Sequence, residues 1–330
     1  MKAILVNRYG PPESIVLADL PRPVPGKGQV LVRIRAATVS AGDMRLRSGQ
    51  FPRGMALPAR LALGITGPRR PVLGTDLAGE VVALGPGAQG VAVGDRILAF
   101  VGVKMGGHAE YRAVPLSAPW CPIPDGMDWA TAAAVPFGGT TALYFLRDRA
   151  SVQPSDRVLV VGASGAVGSA AVQLARHWGA HVTAVTSTAN LALVHDLGAA
   201  EAIDYRTTDW ASLGRRWDVI LDTTGTVDAN RARPCLPPGG RLALVAADLP
   251  QMLGGLFARG IRVLTGVASE RAEDLRLLVG LAEEGAFRPL IDRTFPLDQA
   301  AAAHAHVATG RKRGNVVLVM DGLAAGQAAR

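Results

Sequence analysis

The sequence predicts an α/β protein in which a doubly wound parallel sheet is combined with a small, irregular β-barrel. Three observations carry this reading. A strand–turn–helix–strand unit occupies residues 157–206, and its turn is built almost wholly of small residues. Apolar runs of strand length then alternate with helical stretches as far as residue 284, the pattern of a parallel sheet with helices on both faces. Residues 1–124 instead string short apolar runs between glycine turns, which argues for a barrel.

The central unit opens with Arg157-Val158-Leu159-Val160-Val161, an apolar run suited to a strand buried on both faces. Gly162, Ala163, Ser164, Gly165, Ala166, Val167 and Gly168 follow. They read as G-x-G-x-x-G with Ala163 in the first glycine position. Small residues here let backbone N–H groups and a helix N-terminus approach a pyrophosphate. Val172, Leu174, Ala175 and Trp178 recur at roughly helical spacing up to Gly179, a natural helix stop, and a second apolar strand spans 181–185. A glycine pattern alone marks many ordinary turns. With the strand before it and the helix and strand after it, this one reads as a Rossmann-type dinucleotide site.

Before this unit, strands are expected at 2–6 and 29–36, the latter alternating through Val30, Val32 and Ile34. Pro21 to Gly26 form a restricted loop. Short strands at 74–85 and 93–98 complete the barrel pattern, and 51–71 resembles an insertion with a short helix near 59–63. From Asp128 the chain turns helical, at 130–134 and 140–146. After the central unit, strands are expected at 219–221, 242–245 and 261–264, with a helix at 274–284. A last strand at 315–320 is assigned back to the first domain, and the small, polar tail 321–330 is expected to be disordered. Trp178 and Trp210 read as packing residues.

A chain of 330 residues has room for two cores. Apolar content of 49% with 19% charged residues is that of an ordinary soluble globular protein, and no apolar run reaches bilayer-spanning length. The N-terminus MKAILVNRYG lacks the apolar region of a signal peptide. Two cysteines, Cys121 and Cys235, are too few for a disulfide framework, so a cytoplasmic location is expected. The formal charge of +8 comes from scattered arginines without interleaved aromatics; attraction for a phosphorylated cofactor accounts for it better than nucleic-acid binding.

The motifs GTDLAGEVVALG, VGDRILAF, AAAVPFGGTTAL, GASGAVG, DTTG and RKRGNVVLV occur in that order. Together they resemble the medium-chain dehydrogenase/reductase superfamily, and most of all its zinc-independent quinone oxidoreductase branch. The resemblance covers nearly the whole chain. It implies a Rossmann cofactor domain (125–287) inserted into a GroES-like catalytic domain (1–124 and 288–330), a cleft active site between them, and a homodimer.

Zinc-dependent relatives carry a Cys-His pair where this chain has Ser40-Ala41-Gly42-Asp43, and Gly-His-Glu where it has Gly74-Thr75-Asp76. Catalytic zinc needs about three protein ligands around an open position, so no metal is expected. His108 stands without partners in the sequence, and His304 and His306 face different directions on a helix. Lacking a Lewis acid, the site suits quinones or activated C=C bonds, whose conjugation spreads the developing charge. The resemblance offers Ser40 as a donor to substrate oxygen and Asp43 as a residue behind it that either takes part in chemistry or only caps and orients the turn. Arg45 is an oxyanion stabiliser or a surface arginine. Thr141 matches a position that lies against the nicotinamide. Further cofactor positions implied by resemblance are Thr186, Ser187, Tyr205, Thr223, Val245 and Asn315.

The expected function is therefore NAD(P)H-dependent reduction of quinones or α,β-unsaturated carbonyls. The alternatives are a zinc-free alcohol/ketone dehydrogenase and a non-catalytic NADPH-binding sensor or RNA-associated protein. NADPH is expected to be preferred over NADH. Thr186-Ser187-Thr188 replaces the acid that binds both ribose hydroxyls in NAD-specific sites, and the next acid in sequence is Asp196. Phosphate binding then falls to Thr186, Ser187, Tyr205 and Arg206.

Overall fold

The computed structural model describes residues 1–320, and the expected disordered tail at 321–330 lies outside them. A six-stranded sheet is formed by Arg157–Val161, His181–Thr186, Glu201–Asp204, Val219–Asp222, Gly240–Leu244 and Ile261–Leu264. All its pairings are parallel. Numbered by sequence, these strands lie in the order 3-2-1-4-5-6. The order reverses between Arg157–Val161 and Val219–Asp222, so the loops beyond Val161 and Asp222 open a crevice at the carboxyl end of the sheet. Val158, Leu159 and Val160 are fully buried, as a central parallel strand requires.

Helix Ala166–His177 covers one face of this sheet, and every residue from Ala166 to Ala175 is buried. Its start is pressed against the strand end. A Cβ on Gly168 would stand 2.1 Å from the Gly162 carbonyl oxygen, and Gly162 itself has φ 83°. Only glycine meets both demands without displacing backbone.

The second sheet holds the long strand Gln29–Val39 at its centre. It pairs antiparallel with Asp76–Leu84, Tyr111–Pro115 and Asn315–Val319. Arg96–Phe100 and Trp120–Pro122 extend one side, and Ile291–Pro296 the other. The chain therefore leaves this sheet, builds the parallel one, and returns.

Several elements differ from their sequence readings. The central strand runs three residues beyond 36, because Ala37, Thr38 and Val39 pair with Leu318, Val317 and Val316. That pairing is non-local and leaves no periodic trace. Val16–Asp19, Glu201–Asp204, Trp120–Pro122 and Ile291–Pro296 were not foreseen. Each is short and at least partly exposed, so its apolar alternation is weak. The helix in the insertion begins earlier, as Ala56–Leu63, and buries none of its residues. The helical stretch around 140–146 is helix Pro136–Leu143 continued by a π-helical turn, Tyr144–Arg149. Trp178 packs on the main core, and Trp210 stacks edge-on against Trp217 at 6.1 Å.

Gly168→Ala should destabilise the fold by roughly 1–3 kcal/mol, the range for overpacking. Gly280→Ala, in open space within helix Ala272–Glu283, should stabilise it by about 0.5–1 kcal/mol. Denaturant midpoints of the two variants test this, and equal shifts of one sign would contradict it.

Candidate active site

Gly165 precedes helix Ala166–His177 with no side-chain cap, so the first N–H groups of the helix lack an intrahelical acceptor. A Cβ on Gly165 would meet nothing of the protein closer than Gly162 O at 3.5 Å. Gly165 is therefore bare toward the crevice, whereas Gly168 is bare toward the protein. Ala163 is fully buried beneath the turn. The Ser164 hydroxyl accepts from Thr186 Oγ1 at 3.1 Å and Asn190 Nδ2 at 3.0 Å, and its carbonyl accepts the Gly314 N–H at 2.8 Å. Thr223 lies behind the turn, its hydroxyl donating to Val161 O at 2.9 Å. Val245 follows strand Gly240–Leu244 and donates its N–H to Asp222 O.

At the end of the second strand, Thr186 is 2% exposed and its hydroxyl points inward, which removes it from the set able to reach a phosphate. Asn315 is likewise buried, 5% exposed, and its side-chain amide donates to Leu290 O at 3.0 Å. Its neighbours face the turn instead. Gly314 bonds Ser164, and Arg313 Nη2 donates to Ala189 O at 3.2 Å. Ser187 and Tyr205 remain accessible, Tyr205 being 57% exposed.

Three residues here were missed from sequence. Asn190 is buried, yet its Oδ1 has no hydrogen-bond partner; this orphaned acceptor beside Ser164 fits a ribose hydroxyl. Arg313 lies 127 positions from Thr186. Asp204, in register with Thr186, accepts the Thr188 hydroxyl and the Arg206 N–H. The Thr188 bond, then the Arg206 backbone, hold its carboxyl below the usual range. The acid nearest this strand end is thus Asp204 from the adjacent strand, not Asp196.

The loops at the carboxyl end of the parallel sheet meet the other sheet's domain. Leu249 donates its N–H to Arg53 O, and a Cβ on Gly102 would stand 2.0 Å from a Glu270 carboxylate oxygen. The segment 136–146 packs against helix Ala166–His177 and helix Ala272–Glu283. It is buried except at Phe137, Thr141 and Tyr144, spaced i, i+4, i+7 along one helical face. Phe137 lies beside Gly42, 3.8 Å from where a Cβ would be, and Tyr144 Oη would be 2.5 Å from a Cβ on Gly266. This stripe reaches from Gly42, beside Ser40, at one end to Gly266 of the 265–271 loop at the other.

Ser40 and Asp43 form a capping box at the start of helix Ala41–Ser48. The Ser40 hydroxyl donates to Asp43 Oδ2 at 2.6 Å and accepts the Asp43 N–H. Asp43 is fully buried, and its other oxygen accepts the Gly74 N–H at 3.0 Å. Asp43 therefore caps and orients and has no route to substrate, and the proton of Ser40 is already engaged. Thr141 donates to Phe137 O at 2.7 Å. The Arg45 side chain is half-buried and its guanidinium has no hydrogen bond or ion pair among the described residues; desolvation lowers its pKa.

Asp76 accepts from Thr38 N at 2.7 Å and Thr38 Oγ1 at 2.6 Å. Burial pushes its carboxyl up to about 7. His108 is fully buried, with Nε2 2.8 Å from Thr38 O, and packs edge-on against His304 at 5.7 Å. His306 faces away, toward Asp292. Among the described residues, no group of three or more His, Cys, Asp or Glu is placed to hold a metal, and no helix is long and apolar enough to cross a membrane.

The site has counterparts in known proteins. A family model described as an alcohol dehydrogenase GroES-like domain matches residues 26–125, and one described as a zinc-binding dehydrogenase matches 197–318. The quinone oxidoreductase of Sus scrofa is 30% identical, with 97% of this chain and 98% of that protein aligned. The pikromycin polyketide synthase component PikAII of Streptomyces venezuelae is 34% identical across 91% of this chain, which corresponds to 8% of that protein. Among solved structures, the quinone oxidoreductase from Coxiella burnetii superposes with a TM-score of 0.86 at 28% identity, covering 97% of this chain and 99% of that one. With a doubly wound sheet, a GroES-like partner domain and these relatives, the chain belongs to the quinone oxidoreductase-like branch of the medium-chain dehydrogenase/reductase superfamily and is an NAD(P)H-dependent oxidoreductase.

Proposed function

We propose that this enzyme reduces quinones or α,β-unsaturated carbonyls with NADPH and without zinc. One observation carries the reading. Where zinc-dependent relatives present ligands, Ser40, Asp43 and Gly74 satisfy one another in a closed hydrogen-bond set. That set offers no thiolate or imidazole to a metal. A conjugated acceptor needs less polarisation than an isolated ketone, because negative charge spreads onto its oxygen. The bound cofactor supplies the hydride. The chain's own residues hold it: the N–H groups around Gly165 to Gly168 for the pyrophosphate, Asn190 and Ser187 for the ribose, Thr141 against the nicotinamide. Substrate then occupies the cleft between this stripe and the 265–271 loop. Purified enzyme should oxidise NADPH with simple quinones and enones at rates unchanged by exhaustive chelation. Chelator-insensitive oxidation of secondary alcohols, with no quinone or enone turnover, would support the zinc-free alcohol dehydrogenase alternative instead.

The preference for NADPH rests on Arg313 and Arg206 near the strand end, opposed by Asp204. A net positive balance supports a preference of about tenfold, on the order of 1–2 kcal/mol or one charge-assisted hydrogen bond. In titrations at one ionic strength, Arg313→Ala should erase this ratio while leaving NADH affinity near its starting value. Gly165→Val should abolish binding of both cofactors in a protein that keeps its circular dichroism and melting temperature, because its side chain enters the crevice and not the core. Tighter NADH binding by the unmodified protein would refute the preference.

A homodimer is also inferred. Ile261–Leu264 is an edge strand of the parallel sheet, and beside it Leu253, Leu256 and Phe257 are 50%, 78% and 80% exposed. An open edge flanked by apolar side chains suits isologous pairing about a two-fold axis. Light scattering should give twice the chain mass, and Phe257→Glu should halve it; a monomeric unmodified protein would contradict the assignment.

A further inference from the structure

We infer that Tyr144 is the proton donor to the substrate oxygen. The inference rests on the quinone/enone reading and assigns the proton that reading leaves without a source. Three hydroxyls lie on the stripe or at its Ser40 end, and two of them have engaged protons: Ser40 donates to Asp43 Oδ2 and Thr141 to Phe137 O. The Tyr144 hydroxyl makes no hydrogen bond among the described residues, although its ring is packed on the main core and edge-on against Phe145 at 5.1 Å. The ring is thus held while the hydroxyl is left over for a partner.

Its position suits the task. Tyr144 follows Thr141 by three residues on the open stripe, about one helical turn along. It opens the π-helical turn Tyr144–Arg149, an irregularity that often re-aims side chains at functional sites. The 265–271 loop leaves room for it: Gly266 has φ 150°, and any Cβ there would stand 2.5 Å from Tyr144 Oη. The hydroxyl therefore lies between the stripe and that loop.

The step balances simply. Hydride addition at the β-carbon of an enone leaves a pair of electrons on the carbonyl oxygen; in a quinone it leaves the hydroquinone monoanion. The Tyr144 O–H bond breaks, an O–H bond forms on that oxygen, and the phenolate regains a proton from water. The hydride donor alone is oxidised and the substrate alone reduced.

Tyr144→Phe in the NADPH-loaded enzyme should keep the melting temperature and the NADPH Kd. It should lower kcat for enones and quinones about 10²-fold, within the range for a lost general acid. A readout independent of turnover is the binding of 4-nitrophenol, whose phenolate mimics the developing oxyanion. The unmodified protein should bind the phenolate about tenfold more tightly than Tyr144→Phe does. Gly266→Ala, which displaces the hydroxyl without removing it, should show the same two losses. Unchanged kcat and unchanged phenolate binding in Tyr144→Phe would overturn the assignment. Absence of quinone and enone turnover in the unmodified protein would instead overturn the reading beneath it, and phenolate binding would still report whether Tyr144 offers its proton.

Discussion

The structure depends on the contact between the end of strand Arg157–Val161 and the start of helix Ala166–His177. With no Cβ on Gly168, the helix can begin against the Gly162 carbonyl, and the uncapped N–H groups then face the crevice instead of solvent. Everything else at the carboxyl end of the sheet is arranged around that opening. Ser164 ties the turn to Thr186 at the end of the neighbouring strand and to Asn190 in the turn after it, and Gly314 ties it to the returning chain. Displacing the helix start would disturb the cofactor turn and its junction with the catalytic domain together.

The catalytic domain shows a different economy of polar groups. Its conspicuous candidates, Ser40 and Asp43, satisfy each other and the Gly74 N–H. Asp76 is closed in by Thr38, and burial pushes its carboxyl up to about 7. Such fully paired buried groups hold the cleft wall rigid and leave little for a substrate to bind. The groups left over are Arg45, a half-desolvated cation, and the Tyr144 hydroxyl.

The adenosine end is electrostatically mixed. Asp204 and Arg313 approach the same short turn after strand His181–Thr186 from opposite directions. In the proposed cofactor site the carboxylate would oppose a 2′-phosphate and the guanidinium would favour it, a difference of nearby charges whose size depends on ionic strength.

Much of this was legible before any coordinates. The apolar run 157–161, the small-residue turn and the helix after it are local patterns, and local backbone sterics and periodicity dictate them wherever the chain is placed. The missing zinc ligands were equally plain, since a residue type is either present or not. What the sequence did not determine is which candidates reach the cleft. Ser40, Asp43, Thr186 and Asn315 sit at suggestive positions, but each directs its polar atoms to a protein partner. Asp204, Asn190 and Tyr144 lay outside the sequence motifs and Arg313 lay inside one without being singled out; only the tertiary structure brings Asp204, Asn190 and Arg313 beside the turn. A hydrogen bond's direction and a side chain's open face depend on pairings between residues far apart in sequence, and no local pattern encodes them.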